Sequence, residues 1–290
     1  MAKIFRKILC PIDFSDNSIA ALGQAAKLAR KDDTLLYLMH VELVPMGNLA
    51  ELAQDDVTPS TEPGKLRLER IARKHLARVR HKLLVQFGRP AELIEKAAQD
   101  LDVDLVVMAT HGRTGINRLF LGSIAEHVLR ASERPVLSLG PGAALRALKK
   151  ILCPVDFDPN SIAALNLGRR LAQKYRAAIS LLHVVPTPFE PSEVPVEPSI
   201  PEWEQDARAQ LEKAATENLG AKVKHKLVVR RGDPASAILE VEKELRPDLI
   251  VMATHGRTGL SHLVLGSVAE RTVRESTVPV LTVRERQSVA

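Results

Sequence analysis

The sequence predicts an α/β protein built as two tandem domains, each a five-stranded parallel sheet with helices on both faces. Three observations predict it. The 290-residue chain is 45% hydrophobic and 26% charged, a balance typical of globular domains. It repeats itself: RKILCPIDF at 6–14 returns as KKILCPVDF at 149–157, and MATHGRTG at 108–115 returns at 252–259, so the offset moves only from 143 to 144. Within each copy, short apolar runs alternate with helical patterns, the signature of β-α-β units.

Taken in order, the first copy reads KILCPID as a strand and SIAALGQAAKLA as a helix opened by Ser15 or Asp16. LLYLMHV is a strand, and a polar stretch then leads into a helix at about 65–79. HKLLVQF is the next strand and PAELIEKAA a helix with Pro90 at its opening. DLVVMAT is a strand, GSIAEHVLRA a helix opening at Ser123, and PVLSL the last strand. DLVVMAT and its counterpart DLIVMAT are apolar without strict alternation, as parallel strands covered on both faces should be. A repeat this long is a domain rather than a solenoid unit. The expected division is 1–142 and 143–290, with the join in GPGAALRALKK.

Several classes are set aside. No apolar run is long enough for a transmembrane helix, and MAKIFRKILC lacks the pattern of a secretory signal, so the expected location is the cytoplasm. Cys10 and Cys153 sit in apolar runs without a CxxC or a Cys/His cluster and read as buried core residues. The net charge of +6 comes from interleaved basic and acidic residues, and aromatics are 3% of the chain, which argues against a nucleic-acid stacking platform.

In open parallel sheets a ligand lodges at the carboxyl ends of the strands where the winding reverses. For a Rossmann-like order 3-2-1-4-5 that crevice lies between the first and fourth strands, the flavodoxin-like order being the alternative. The first strand ends at Pro11-Ile12-Asp13 and the fourth at Met108-Ala109-Thr110-His111-Gly112, and Gly122-Ser123 follows at a helix start. Glycines let backbone amides approach phosphate oxygens, a helix N-terminus adds donors and dipole, and a carboxylate can accept from ribose hydroxyls or a base amine. The second copy repeats the set with Pro154, Val155, Asp156, Ala253, Thr254, His255, Gly256, Gly266 and Ser267. Asp13, His111 and Ser123 also invite comparison with a hydrolase triad, but the chain has neither a nucleophile elbow nor a Walker lysine. The site therefore reads as one that binds rather than reacts.

These motifs, in this order and present twice, resemble the universal stress protein family over nearly the whole chain. Its ATP-binding members carry Gly, two residues, Gly, nine residues, Gly and Ser or Thr; here Ala109 and Ala253 replace the first glycine. The resemblance implies that Pro11, Ile12, Asp13, Val41, Met108 and Ala109 border the adenosine. Gly112, Gly122, Ser123 and Ile124 would then hold the phosphates, and Arg113, like Arg257, would either neutralise phosphate charge or stand solvated on its loop. The second set is Pro154, Val155, Asp156, Val184, Met252, Ala253, Gly256, Arg257, Gly266, Ser267 and Val268. Magnesium or manganese would enter with ATP, since no independent metal site is evident. Asp158 replaces Ser15 and would repel phosphate if it faced the pocket, so the two sites need not bind equally. The resemblance also implies pairing of the halves through their last strands as an intrachain pseudo-dimer, a role in stress response through partner or assembly interfaces, and further homodimers. Slow metal-dependent ATP hydrolysis and a nucleotide-free assembly module are the alternatives. Six prolines from Pro186 to Pro201, before the lone Trp203, read as an exposed connection.

Overall fold

The computed structural model describes residues 3–43, 62–112, 121–186, 200–255 and 265–284. The chain divides into two compact units, one running to Gly142 and the other beginning at Ala143. In the first, β1 (Lys7–Pro11), α1 (Asp16–Asp32), β2 (Leu35–Glu42), α2 (Glu62–His75), β3 (His81–Phe87), α3 (Pro90–Asp100), β4 (Leu105–Ala109), α4 (Ser123–Ala131) and β5 (Val136–Leu139) follow one another. The second contains β6 (Lys150–Pro154), α5 (Pro159–Tyr175), β7 (Ala178–Val185), α6 (Ile200–Asn218), β8 (His225–Arg231), α7 (Pro234–Leu245), β9 (Leu249–Ala253), α8 (Ser267–Glu275) and β10 (Val280–Val283).

All strand pairings within a unit are parallel, in the order β3-β2-β1-β4-β5 and, correspondingly, β8-β7-β6-β9-β10. The Rossmann-like order therefore holds and the flavodoxin-like one does not. β1 lies between β2 and β4, so the winding reverses there. Buried on both faces, β1, β2 and β4 carry Ile8, Leu9, Leu36, Leu38, Met39 and Leu105 at 0–1% exposure, which makes the central sheet the core. Cys10 and Cys153 belong to it, and burial pushes each thiol up to about 12.

Of the two candidates at the start of α1, Ser15 is the cap, its hydroxyl accepting from Ser18 N–H at 3.2 Å. α4 opens at Ser123 as expected, with Gly122 as its cap. One helix departs from expectation. α2 runs from Glu62 to His75 instead of 65–79, and the chain past its end takes a left-handed turn at Arg78, φ 66°. Gly64 opens α2 against β2, where a Cβ would stand 2.5 Å from Glu42 Oε1. Pro188, Pro191, Pro195 and Pro198 lie outside the described residues, and Pro201 sits in the first turn of α6.

Candidate nucleotide site

The end of β1 is fastened to β2 from both sides of one residue. Ile12 N–H donates to Met39 O at 2.8 Å, and Ile12 O accepts from His40 Nδ1 at 2.8 Å, which fixes the proton of that ring nitrogen because a carbonyl can only accept. His40 is thus a structural hydrogen-bond partner. Asp13 follows, and the chain then turns through Phe14 in the left-handed region, φ 66°. Such a conformation costs a non-glycine residue about 1 kcal/mol. The Phe14 ring lies 4.2 Å from His40 and beneath the Arg67 guanidinium at 4.0 Å, contacts that help to hold the turn. The second unit repeats it: Phe157 has φ 67°, its ring is 4.5 Å from His183, and His183 Nδ1 donates to Val155 O at 2.8 Å. Sequence reasoning passed over these phenylalanines, although their recurrence at one offset was the available signal.

The turn aims the carboxylate. Asp13 Oδ1 accepts from Ser15 N–H at 3.0 Å and Ser15 Oγ–H at 2.6 Å, while Oδ2 points to Gly112 at the end of β4. A Cβ on Gly112 would stand 2.6 Å from Oδ2, so only glycine lets the two strand ends approach this closely. In the second unit Asp156 Oδ1 accepts from Asp158 N–H at 3.2 Å. Asp158 in turn caps α5 by accepting from Asn160 N–H and Nδ2–H at 2.9 and 2.8 Å, so one of its oxygens is committed to the helix.

Ala109 and Ala253 are the last residues of β4 and β9, in extended backbone, and neither has a positive φ. Their methyl groups bring no backbone strain. Beyond them Thr110 N–H donates to Leu139 O at 3.0 Å, and Thr110 Oγ1 pairs with His111 Nδ1 at 2.8 Å. His111 is therefore held by a side chain and not, as a turn-closing histidine would be, by backbone. It is 3% exposed, and its Nε2 has no hydrogen-bond partner. That atom is not joined to Asp13 or Ser123, so no Ser-His-Asp chain forms in this unit.

Gly122 N–H donates to Thr110 O at 2.9 Å and pins the start of α4 to the end of β4; Gly266 does the same to Thr254 O at 2.9 Å for α8. A Cβ would meet those carbonyls at 3.0 and 2.9 Å. With glycine as N-cap, the cap residue makes no side-chain bond to the first amides of either helix, and Ser123, Ile124 and Ser267 are exposed there. Asp13 and Gly112 thus meet at the ends of β1 and β4, where Gly122 ties the start of α4, with Ser123 and Ile124, to Thr110; Pro11 and Ile12 precede Asp13, and Ala109 ends β4. Met108 and Met252 are core residues at 5% exposure, and Val41 lies on β2 past the last residue paired with β1. Arg113, Gly256 and Arg257 lie outside the described residues. The arrangement suits an anion at the helix start and a hydrogen-bonding group at Asp13, as a nucleotide requires. Among the described residues no cluster of His, Cys, Asp or Glu could hold a metal, so a divalent ion would rest on ligand phosphates.

An open parallel α/β domain whose winding reverses at its first strand, used twice, defines the fold class. The profile of the universal stress protein family matches residues 4–139 and again 147–284, and the chain belongs to that family. A universal stress protein of Mycolicibacterium smegmatis is 27% identical over 296 residues, covering 96% of this chain and 97% of its own. One from Methanocaldococcus jannaschii is 34% identical over 143 residues, covering 47% of this chain and 82% of its own. The crystal structure of a universal stress protein from Archaeoglobus fulgidus superposes with a TM-score of 0.71 at 21% identity, covering 97% of both chains, which shows the shared fold. No helix among the described residues is long and apolar enough to cross a membrane.

Proposed function

We propose that each unit binds ATP, with a magnesium or manganese ion on its phosphates, and that occupancy sets the state of partner or assembly interfaces in a cytoplasmic stress response. One observation supports the reading: in both units a glycine N–H bonds the carbonyl just beyond the fourth strand and ties the next helix start to that strand end, and in the first unit Asp13 Oδ2 lies against Gly112 of the same strand end. The amides of Ser123 and Ile124, and of Ser267 and Val268, would receive phosphate oxygens, and Asp13 and Asp156 would accept from the nucleoside. His111 Nε2 offers a further buried polar atom that a ligand could satisfy. The tandem units are read as an intrachain pseudo-dimer.

The test is to denature freshly purified protein and quantify released nucleotide per chain by mass spectrometry, followed by calorimetric titration with ATP and magnesium. Two equivalents per chain, reduced to one by Gly122→Val or by Gly266→Val, support the reading. No retained nucleotide and no heat of binding would sink it. Metal-dependent phosphate release from the same sites would instead make the protein a slow ATPase.

A further inference from the structure

The two units share a fold but carry opposite charge on corresponding helices. From Glu62 to Phe87, through α2 and β3, the chain has eight Lys or Arg against two acidic residues, Glu62 and Glu69. α6, the equivalent helix, carries five acidic residues against Arg208 and Lys213. Leu68, Ala72 and Leu76 bury one stripe of α2, and helical spacing puts Leu66, Arg70, Arg73 and Lys74 on the opposite side, where Leu66 is 52% exposed. Beside this face lies an open groove of about 640 Å³ between α2 and β3, floored by Leu76, Val79 and Leu83 and rimmed by Arg73, Arg78 and His81 with one acidic residue, Glu69. On α6, Ala207, Leu211 and Ala215 are buried, and Glu202, Asp206 and Glu217 share an exposed flank with one base, Lys213.

These charges are not neutralised at home. Among the described residues Arg70, Arg73, Lys74, Glu202, Asp206 and Glu217 take part in no ion pair. Elsewhere the surface helices pair theirs, as in Arg89–Glu92 at 3.0 Å and Arg271–Asp233 at 2.6 Å. Nucleic acid is the poorer match for the basic face, because its groove has an aliphatic floor and, apart from the rim imidazole of His81, no aromatic ring on which successive bases could stack. An acidic helix is the better one, and this chain carries it.

We infer that the basic α2–β3 face of one copy receives the acidic α6 face of a second copy. Because the contact joins unlike surfaces, it closes into a dimer when each copy both gives and receives, and otherwise propagates. Charge complementarity of this kind sets the partner and is screened by salt.

Sedimentation velocity on the full chain, across protein concentration and at about 50 and about 500 mM NaCl, tests it; high salt should weaken association at least about tenfold. Arg70→Glu/Arg73→Glu/Lys74→Glu and Glu202→Lys/Asp206→Lys/Glu217→Lys should each lose the salt-sensitive step while keeping native circular dichroism. Mixed one to one, the two variants should regain it, because each then meets its complement. An intrachain contact could not be rescued by mixing. A wild type without a salt-sensitive step, whether or not a polyanion such as heparin retains it, overturns the inference. So does failure of the mixed variants to associate.

Discussion

Gly112→Ala is the most direct probe of how the first crevice is built. The new methyl carbon would stand 2.6 Å from Asp13 Oδ2. Carbon–oxygen contacts begin near 3.3 Å, so a shift of about 0.7 Å is needed. The carboxylate cannot give way freely, because its other oxygen is held at 3.0 and 2.6 Å by Ser15. Swinging it aside forfeits one or both bonds, each worth about 1 kcal/mol or somewhat more for a charged acceptor. Gly112→Ala should therefore cost about 2 kcal/mol, within the range for overpacked sites. Asp13→Ala should also destabilise, by losing the same bonds. In the double variant the clash has no partner, so its stability should equal that of Asp13→Ala alone. Urea denaturation of the four proteins gives the coupling, expected near 2 kcal/mol in magnitude. Additivity within about 0.5 kcal/mol would refute the claim that Gly112 is required by the Asp13 carboxylate.

Native protein should leave Cys10 and Cys153 unmodified by a thiol reagent at pH 8, with both reacting in denaturant, because burial holds the thiols near pKa 12. Gly266→Ala presses a methyl on Thr254 O at 2.9 Å, a backbone atom already engaged by Gly266 N–H. A loss of about 1–3 kcal/mol in denaturant unfolding is expected. Asp158→Ala removes the cap of α5 and should cost about 1 kcal/mol, measurable as a lower Tm. Hydrogen bonds from Ser236, with Arg271 nearby, hold the Asp233 carboxyl below its ordinary 3.8. Its contribution is complete above that value and is lost as pH falls through the lower folded pKa. Asp233→Asn should flatten the acid limb of a stability–pH curve below about pH 4, by less than about 1 kcal/mol given the side chain's exposure.

The duplication made the fold legible, since each apolar run could be checked against its partner 143 or 144 residues on. Reversal of winding at β1 and the convergence of Asp13, Gly112 and Gly122 followed from strand-end residues alone. What was hidden depends on contacts between elements. Ser15 and Asp16 are both good caps in sequence, and choosing between them needs the turn at Phe14. The end of α2 was overrun because Leu76 and Val79 continue an apolar pattern, and both are buried although the chain has left the helix. The threat that Asp158 would repel a phosphate looked serious from its charge; a cap partner two residues away, Asn160, turns one oxygen toward the helix.

The same comparison explains why the two crevices tolerate different side chains. Ser15 and Asp158 stabilise their turns by different bonds, and Ile12 and Val155 exchange one aliphatic for another. Yet the left-handed phenylalanine, the histidine bond to the preceding carbonyl and the glycine N–H to threonine carbonyl bond recur with nearly the same geometry. The recurring geometry lies in backbone groups, which only a misplaced Cβ blocks, and in one side-chain donor, the imidazole of His40 or His183. Ala109 and Ala253 are compatible with this because their methyls leave an extended strand end, whereas a methyl at Gly122 or Gly266 would press on a carbonyl that orients a helix. On the nucleotide-binding reading proposed above, side-chain divergence at the mouth should tune affinity between the units, and Gly122→Val or Gly266→Val should abolish binding in its own unit.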